Sequence, residues 1–128
     1  MPIGSVAMTT AELKARTKDF ALRVIRLVDA LPNSIKGRTI ANQIIRSATS
    51  VAANYRAACR ARSRVEFIAK IGIVEEEADE TAFWLELIID SKIRSKAQIE
   101  PLLKEAGELV AIMAASRKSA VANRKLAI

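Results

Sequence analysis

The chain has 128 residues, with 21 Lys or Arg against 14 Asp or Glu, no histidine and a net charge of +7. That length suits one domain, residues 1–128, whose core needs neither disulfides nor metals. Without histidine, Ser–His and Cys–His nucleophile pairs, the usual zinc sites and His-dependent ribonuclease chemistry are excluded.

The single cysteine, Cys59, cannot form an internal disulfide, which fits a reducing compartment. The opening MPIGSVAMTT has no basic region and no long apolar run, so it does not read as a signal peptide. No stretch approaches the ~20 apolar residues that span a bilayer. The expectation is a cytoplasmic protein with no membrane partner.

The elements then follow in order. A first helix is predicted over 9–31, where Leu13, Thr17, Phe20, Val24, Leu27 and Leu31 recur at steps of three or four. Thr9 and Glu12 form a capping-box pattern at its start. Leu31-Pro32-Asn33-Ser34 ends it, because a residue before proline is pushed out of the α region.

A second helix is predicted over 35–61, with Ile40, Ile44, Ser47, Val51, Asn54 and Ala58 on one stripe. Ala41, Ile45, Ala48, Ala52, Tyr55 and Cys59 form a neighbouring stripe, mostly apolar and small. Two such stripes imply cover on two sides. In this setting Cys59 reads as a structural thiol rather than a nucleophile.

Ser63 and Glu66 predict a second capping box and a tight turn. The third helix, 64–91, carries the cleanest seam: Phe67, Ile71, Val74, Ala78, Thr81, Leu85 and Ile88. Ile73, Phe83, Trp84 and Leu87 are apolar residues off that seam, and with Tyr55 they are the candidate oligomer interface. Gly72 lies inside this helix at a cost of about 1 kcal/mol against alanine, which close approach of a neighbour would explain.

The fourth helix, 96–118, starts with Ser95 and Gln98. Pro101 is expected to divide a first turn from the main helix. The segment RKSAVANRKLAI is basic and weakly patterned, and a flexible tail is expected there. Short connections between long helices predict an all-α, antiparallel up-down-up-down four-helix bundle.

Charge is sharply segregated. Ala30–Val65 holds seven Lys or Arg and no acid, whereas Glu66–Asp90 holds eight acids and one Lys. Arg38, Asn42, Arg46, Thr49, Ala53, Arg56 and Arg60 form one polar stripe, and Arg62 and Arg64 continue the charge into the turn. Such a row could follow a phosphate backbone. Equally, Glu75, Glu76, Asp79, Glu80 and Glu86 on the third helix could pair with Arg46, Arg56 or Arg60. The candidate nucleic-acid-binding set is Arg38, Arg46, Arg56, Arg60, Arg62 and Arg64.

Glu76, Glu77, Asp79 and Glu80 have no histidine to complete a di-iron site, so no metal is expected. The four glycines are scattered and form no phosphate loop. No cofactor and no catalytic residue is expected. Tyr55 and Trp84 fall in apolar surroundings, as core or interface anchors do, rather than as base-stacking platforms.

The run QIIRSATSVAANYRAACRARSRVEFIAKIGIVEEEADETAFWLEL closely resembles the four-helix-bundle family first noted as proteins encoded in intervening sequences of bacterial 23S rRNA genes. The resemblance extends from the LPNS break to the SRKSA segment. It implies a small non-enzymatic subunit that assembles as a ring-shaped homo-oligomer, typically a pentamer. A relative, the accessory variability protein of diversity-generating retroelements, is a basic pentameric barrel that binds nucleic acid and a reverse transcriptase. Arg46, Arg56 and Arg60 match recurrent basic positions of the family.

Two functions follow as expectations. One is a non-catalytic oligomer that binds RNA or DNA, or assists a nucleic-acid-processing partner. The other is a structural or protein-binding oligomer whose arginines are consumed by the acidic third helix.

Overall fold

The computed structural model describes residues 8–126, with side chains described as far as Asn123. The reading of the first residues as no signal peptide falls largely outside that range. Four helices make up the fold: α1 (Thr10–Asp29), α2 (Ile35–Ala58), α3 (Arg64–Asp90) and α4 (Lys96–Leu126). No strand occurs among the described residues.

Each start is set by a polar cap that satisfies amide donors the helix leaves orphaned. At α1 the capping box is complete: Glu12 N–H donates to Thr9 Oγ1 (3.0 Å) and Thr9 N–H to Glu12 Oε1 (2.8 Å). Ser34 caps α2 by accepting from Gly37 N–H (3.2 Å). At α3, Ser63 Oγ accepts from Glu66 N–H (3.1 Å), but the Glu66 carboxylate accepts from Arg62 N–H (3.1 Å) rather than from its own cap. Ser95 and Gln98 exchange bonds at α4, Gln98 N–H to Ser95 Oγ (3.3 Å) and Ser95 N–H to Gln98 Oε1 (3.2 Å).

The ends depart from expectation. α2 closes at Ala58, and Arg60 and Ala61 donate to the carbonyls of Ala57 and Ala58, the three-residue closure that tightens a last turn. α4 continues past 118 to Leu126, so the expected flexible tail is helical through that residue. Nor does Pro101 divide α4. It lies near the start on an exposed face, where water can serve the carbonyl left without a donor.

α3 ends in a Schellman motif: Ile93 N–H donates to Ile88 O (3.1 Å) and Lys92 N–H to Ile89 O (2.9 Å). The left-handed residue is Lys92 (φ 61°), where glycine is the usual occupant. A non-glycine residue there costs roughly 1 kcal/mol. Lys92→Gly should therefore raise stability by about that amount, read as a higher urea midpoint at unchanged slope.

The helices pack as a bundle, each on its neighbour in sequence and α1 also on α4. The core draws on all four: Phe20 and Val24 from α1; Ile44 and Val51 from α2; Ile71, Val74, Leu85 and Ile88 from α3; Ile99, Leu109 and Met113 from α4. The α3 seam is buried from Ile71 to Ile88 as its spacing predicts, with Phe67 half-buried at its start. On α2 the buried line shifts by one residue at its end. Tyr55 takes the core position and Asn54 is only half-buried, donating to Ser50 Oγ (2.8 Å).

Where α2 meets α3, both present small hydroxyl residues. Thr81 Oγ1 donates to Ser47 Oγ (2.8 Å), and the Ser47 hydroxyl in turn donates to the Ile44 carbonyl (3.2 Å). These two fully buried polar groups are thus satisfied internally. Gly72 shows no such close approach, since a Cβ built there meets nothing within 4 Å.

α1 and α4 share less backbone contact than helices adjacent in sequence, and Arg16 links them through ion pairs. Arg16 reaches Glu105 through two bonds of 2.7 Å and Glu108 through one of 2.7 Å. Its Nη1 also donates to Met8 Sδ (3.2 Å). The fork geometry matches a carboxylate, and the Glu105 bonds raise the guanidinium pKa above its usual range.

Candidate functional site

The six candidate arginines do not form one patch. Arg38 and Arg60 are 22 residues apart on and just beyond α2, roughly 33 Å along a helix axis at 1.5 Å per residue. Arg38, near the start, is exposed and donates to Asn33 Oδ1 (2.9 Å). Arg46 lies mid-helix against α3, its Nη1 donating to Glu77 (3.3 Å) and its Nη2 to Glu80. Arg56, Arg60, Arg62 and Arg64 are exposed at the far end, and none enters an ion pair among the described residues.

The acids of α3 are therefore spent selectively. Of the five expected to meet the α2 arginines, only Glu80 does so, joined by Glu77. Glu75 instead turns to α4 and accepts from Arg117 Nε (2.8 Å) and Nη2 (3.4 Å). Nothing had pointed to Arg117, because it begins the segment read as tail.

Glu80 also holds Trp84, whose Nε1 donates to its Oε2 (3.2 Å). Burial pulls the Glu80 pKa up, but the bonds from Arg46 and Trp84 outweigh it and leave the group below its ordinary 4.5. A carboxyl depressed in the folded state stabilises the fold above its unfolded pKa, and that contribution is lost as pH falls through the folded value. Thermal stability should therefore decline below about pH 4.5. Arg46→Ala should flatten that decline, as followed by melting temperature from pH 6 to pH 3.

The candidate interface residues separate too. Tyr55 is only 6% exposed and belongs to the core of its own chain, where burial pushes its phenol pKa above the usual range. It is not presented to a neighbour. Ile73, Trp84 and Leu87 are half-buried, and Phe83 is exposed at 51%. Phe83 and Trp84 meet edge to face with ring centroids 5.1 Å apart. Cys59 is half-buried and free.

One feature of the α1–α2 side was missed in the sequence. A groove of about 740 Å³ runs between these helices, floored by Leu22, Ile25, Ala52 and Ala53. Its rim carries Lys14, Lys18, Arg56 and Arg60, and no carboxylate lines it. Leu22 (42% exposed) and Ile25 (37%) lie off the buried stripe of α1. Their signal in the sequence was apolar residues beside that stripe, and it passed unread.

No group of three or more His, Cys, Asp or Glu is placed to hold a metal among the described residues. No described helix is long and apolar enough to cross a membrane.

Comparison with known proteins gives the chain a context. No curated protein matches it. A solved structure of a protein of unknown function from the S23 ribosomal protein family of Bacteroides thetaiotaomicron VPI-5482 is 36% identical, with a TM-score of 0.77 over 82% of this chain and 97% of that one. The model of the 23S rRNA-intervening sequence protein family matches residues 10–115. By this match over most of its length, the chain belongs to the 23S rRNA-intervening sequence protein family.

Proposed function

We propose that this chain is a non-catalytic, self-associating subunit of an antiparallel, up-down-up-down bundle that binds nucleic acid through the basic end formed by Arg60, Arg62 and Arg64. One observation carries the reading: the three arginines at that end are exposed and have no carboxylate partner among the described residues, although the adjacent helix is rich in acids. Guanidinium groups left in water beside one another repel, and a phosphate backbone relieves that repulsion with forked hydrogen bonds.

Opposing order of contacts supports the antiparallel packing, since Ser47 meets Thr81 while Ser50 Oγ donates to Glu77 (3.2 Å). Binding of this kind reads the backbone rather than the bases. Tyr55 is buried, and Trp84 is half-buried and packed edge to face with Phe83, so neither stands out as a base-stacking platform. A cytoplasmic setting fits such a partner. The resemblance to the accessory variability protein of retroelements points the same way, and a ring would place several basic ends in one array. The rival reading, arginines consumed by α3, is supported at Arg46 alone.

The test is fluorescence anisotropy of labelled single-stranded and duplex RNA and DNA across a salt series. Three phosphates engaged predict a log–log slope of about −2.7 or steeper on duplex. Absence of binding at low salt would refute the proposal.

A further inference from the structure

We propose that the α1–α2 groove receives the outward ridge of α3 from a second copy of the chain. The inference rests on the self-association proposed above and names the surfaces that perform it.

The ridge is a single exposed stripe. Glu76, Asp79, Phe83, Glu86 and Asp90 recur at steps of three and four, and all are exposed. Such spacing places them along one line of a helix, turned away from the buried seam. Phe83 stands at its centre with two acids on either side. Packed edge-on against Trp84, its ring is braced by an indole that Glu80 already holds. None of these four acids enters an ion pair among the described residues.

The groove is its complement in shape and charge. Its apolar floor, with Leu22 and Ile25 partly open to water, offers a bed for one aromatic knob flanked by helix backbone. The alanines Ala52 and Ala53 let another helix come close. Lys14, Lys18 and Arg56 border that floor where the ridge carboxylates would lie, and Arg60 lines the groove on the side of Arg62 and Arg64. An apolar centre ringed by opposite charges is the composition of a specific interface, and like-charged partners are rejected at the rim.

Groove and ridge are different patches of the molecule, so the contact is heterologous. A pair leaves one groove and one ridge unsatisfied, and growth ends only by closing a ring. Lys14, Lys18 and Arg56 meet the ridge acids, so the basic end at Arg60, Arg62 and Arg64 stays available to a polyanion.

Charge exchange tests this, with mass read by light scattering at micromolar concentration and folding checked by circular dichroism. The wild type should show a discrete multiple of the chain mass. Lys18→Glu/Arg56→Glu and Asp79→Lys/Glu86→Lys should each weaken association at least about tenfold, and Phe83→Asp likewise. A chain carrying both charge pairs exchanged should reassemble. A monomeric wild type would overturn this contact and self-association together. An assembled wild type whose mass survives all three variants would overturn the contact and leave self-association standing. Folded variants that dissociate, with no recovery in the doubly exchanged chain, would overturn the pairing of these two faces.

Discussion

Gly37→Ala should destabilise the fold by about 1–3 kcal/mol, the range for overpacking a well-packed site. A Cβ at this buried position would lie 1.9 Å from the Pro32 carbonyl oxygen, 2.9 Å from its carbon and 3.1 Å from Pro32 Cγ. The nearest obstacle is backbone, so no rotamer change relieves it. Proline fixes φ at Pro32 and restricts Leu31, which leaves the α1–α2 turn little room to move. A shift of the turn would also strain the Ser34 cap, which accepts from the Gly37 N–H. The intrinsic gain of alanine over glycine in a helix, about 1 kcal/mol, offsets only part of the cost.

A control separates the clash from helix propensity. At Gly72 and Gly107 a Cβ meets nothing within 4 Å, so alanine there should be neutral or stabilise by roughly 0.5–1 kcal/mol. Urea midpoints for the three variants decide the matter. Equal behaviour at all three positions would show that the turn relaxes freely.

Periodicity carried the fold because α1 and α3 each bury one clean stripe. Leu13, Thr17, Phe20 and Val24 on α1 and Ile71 to Ile88 on α3 are buried as their spacing implies. Failures came where two patterns compete or where partners are distant in sequence. On α2, which carries two neighbouring stripes, hydrophobicity could not say whether Asn54 or Tyr55 turns inward. α4 persists past 118 although its pattern weakens, and Arg117, just before that point, finds Glu75, a partner 42 residues away. The role of Gly37 was invisible, because it depends on a turn that folds back over the helix start.

The charge blocks were legible as composition, but their use was not. Which arginine meets which acid depends on helix phase and height, and only Arg46 shares both with Glu77 and Glu80. The groove between α1 and α2 depends on spacing between helices, which no stripe reports.

The variant Arg60→Ala/Arg62→Ala/Arg64→Ala should weaken nucleic-acid binding on the order of a hundredfold at low salt, and make the duplex slope shallower by roughly 2.7. Each lost phosphate contact accounts for about 0.9 of that change. The fold should tolerate the substitutions. Arg62 holds Glu66 through its backbone N–H, which alanine retains, and no side-chain hydrogen bond or ion pair among the described residues uses the three guanidinium groups. Arg46→Ala provides the contrast. Its guanidinium is already engaged by two carboxylates, so its removal should leave the slope nearly unchanged while altering acid stability. If instead the triple variant bound as tightly and with the same slope as wild type, the polyanion would sit elsewhere. Arg60, Arg62 and Arg64 would then be a solvated surface and not a site.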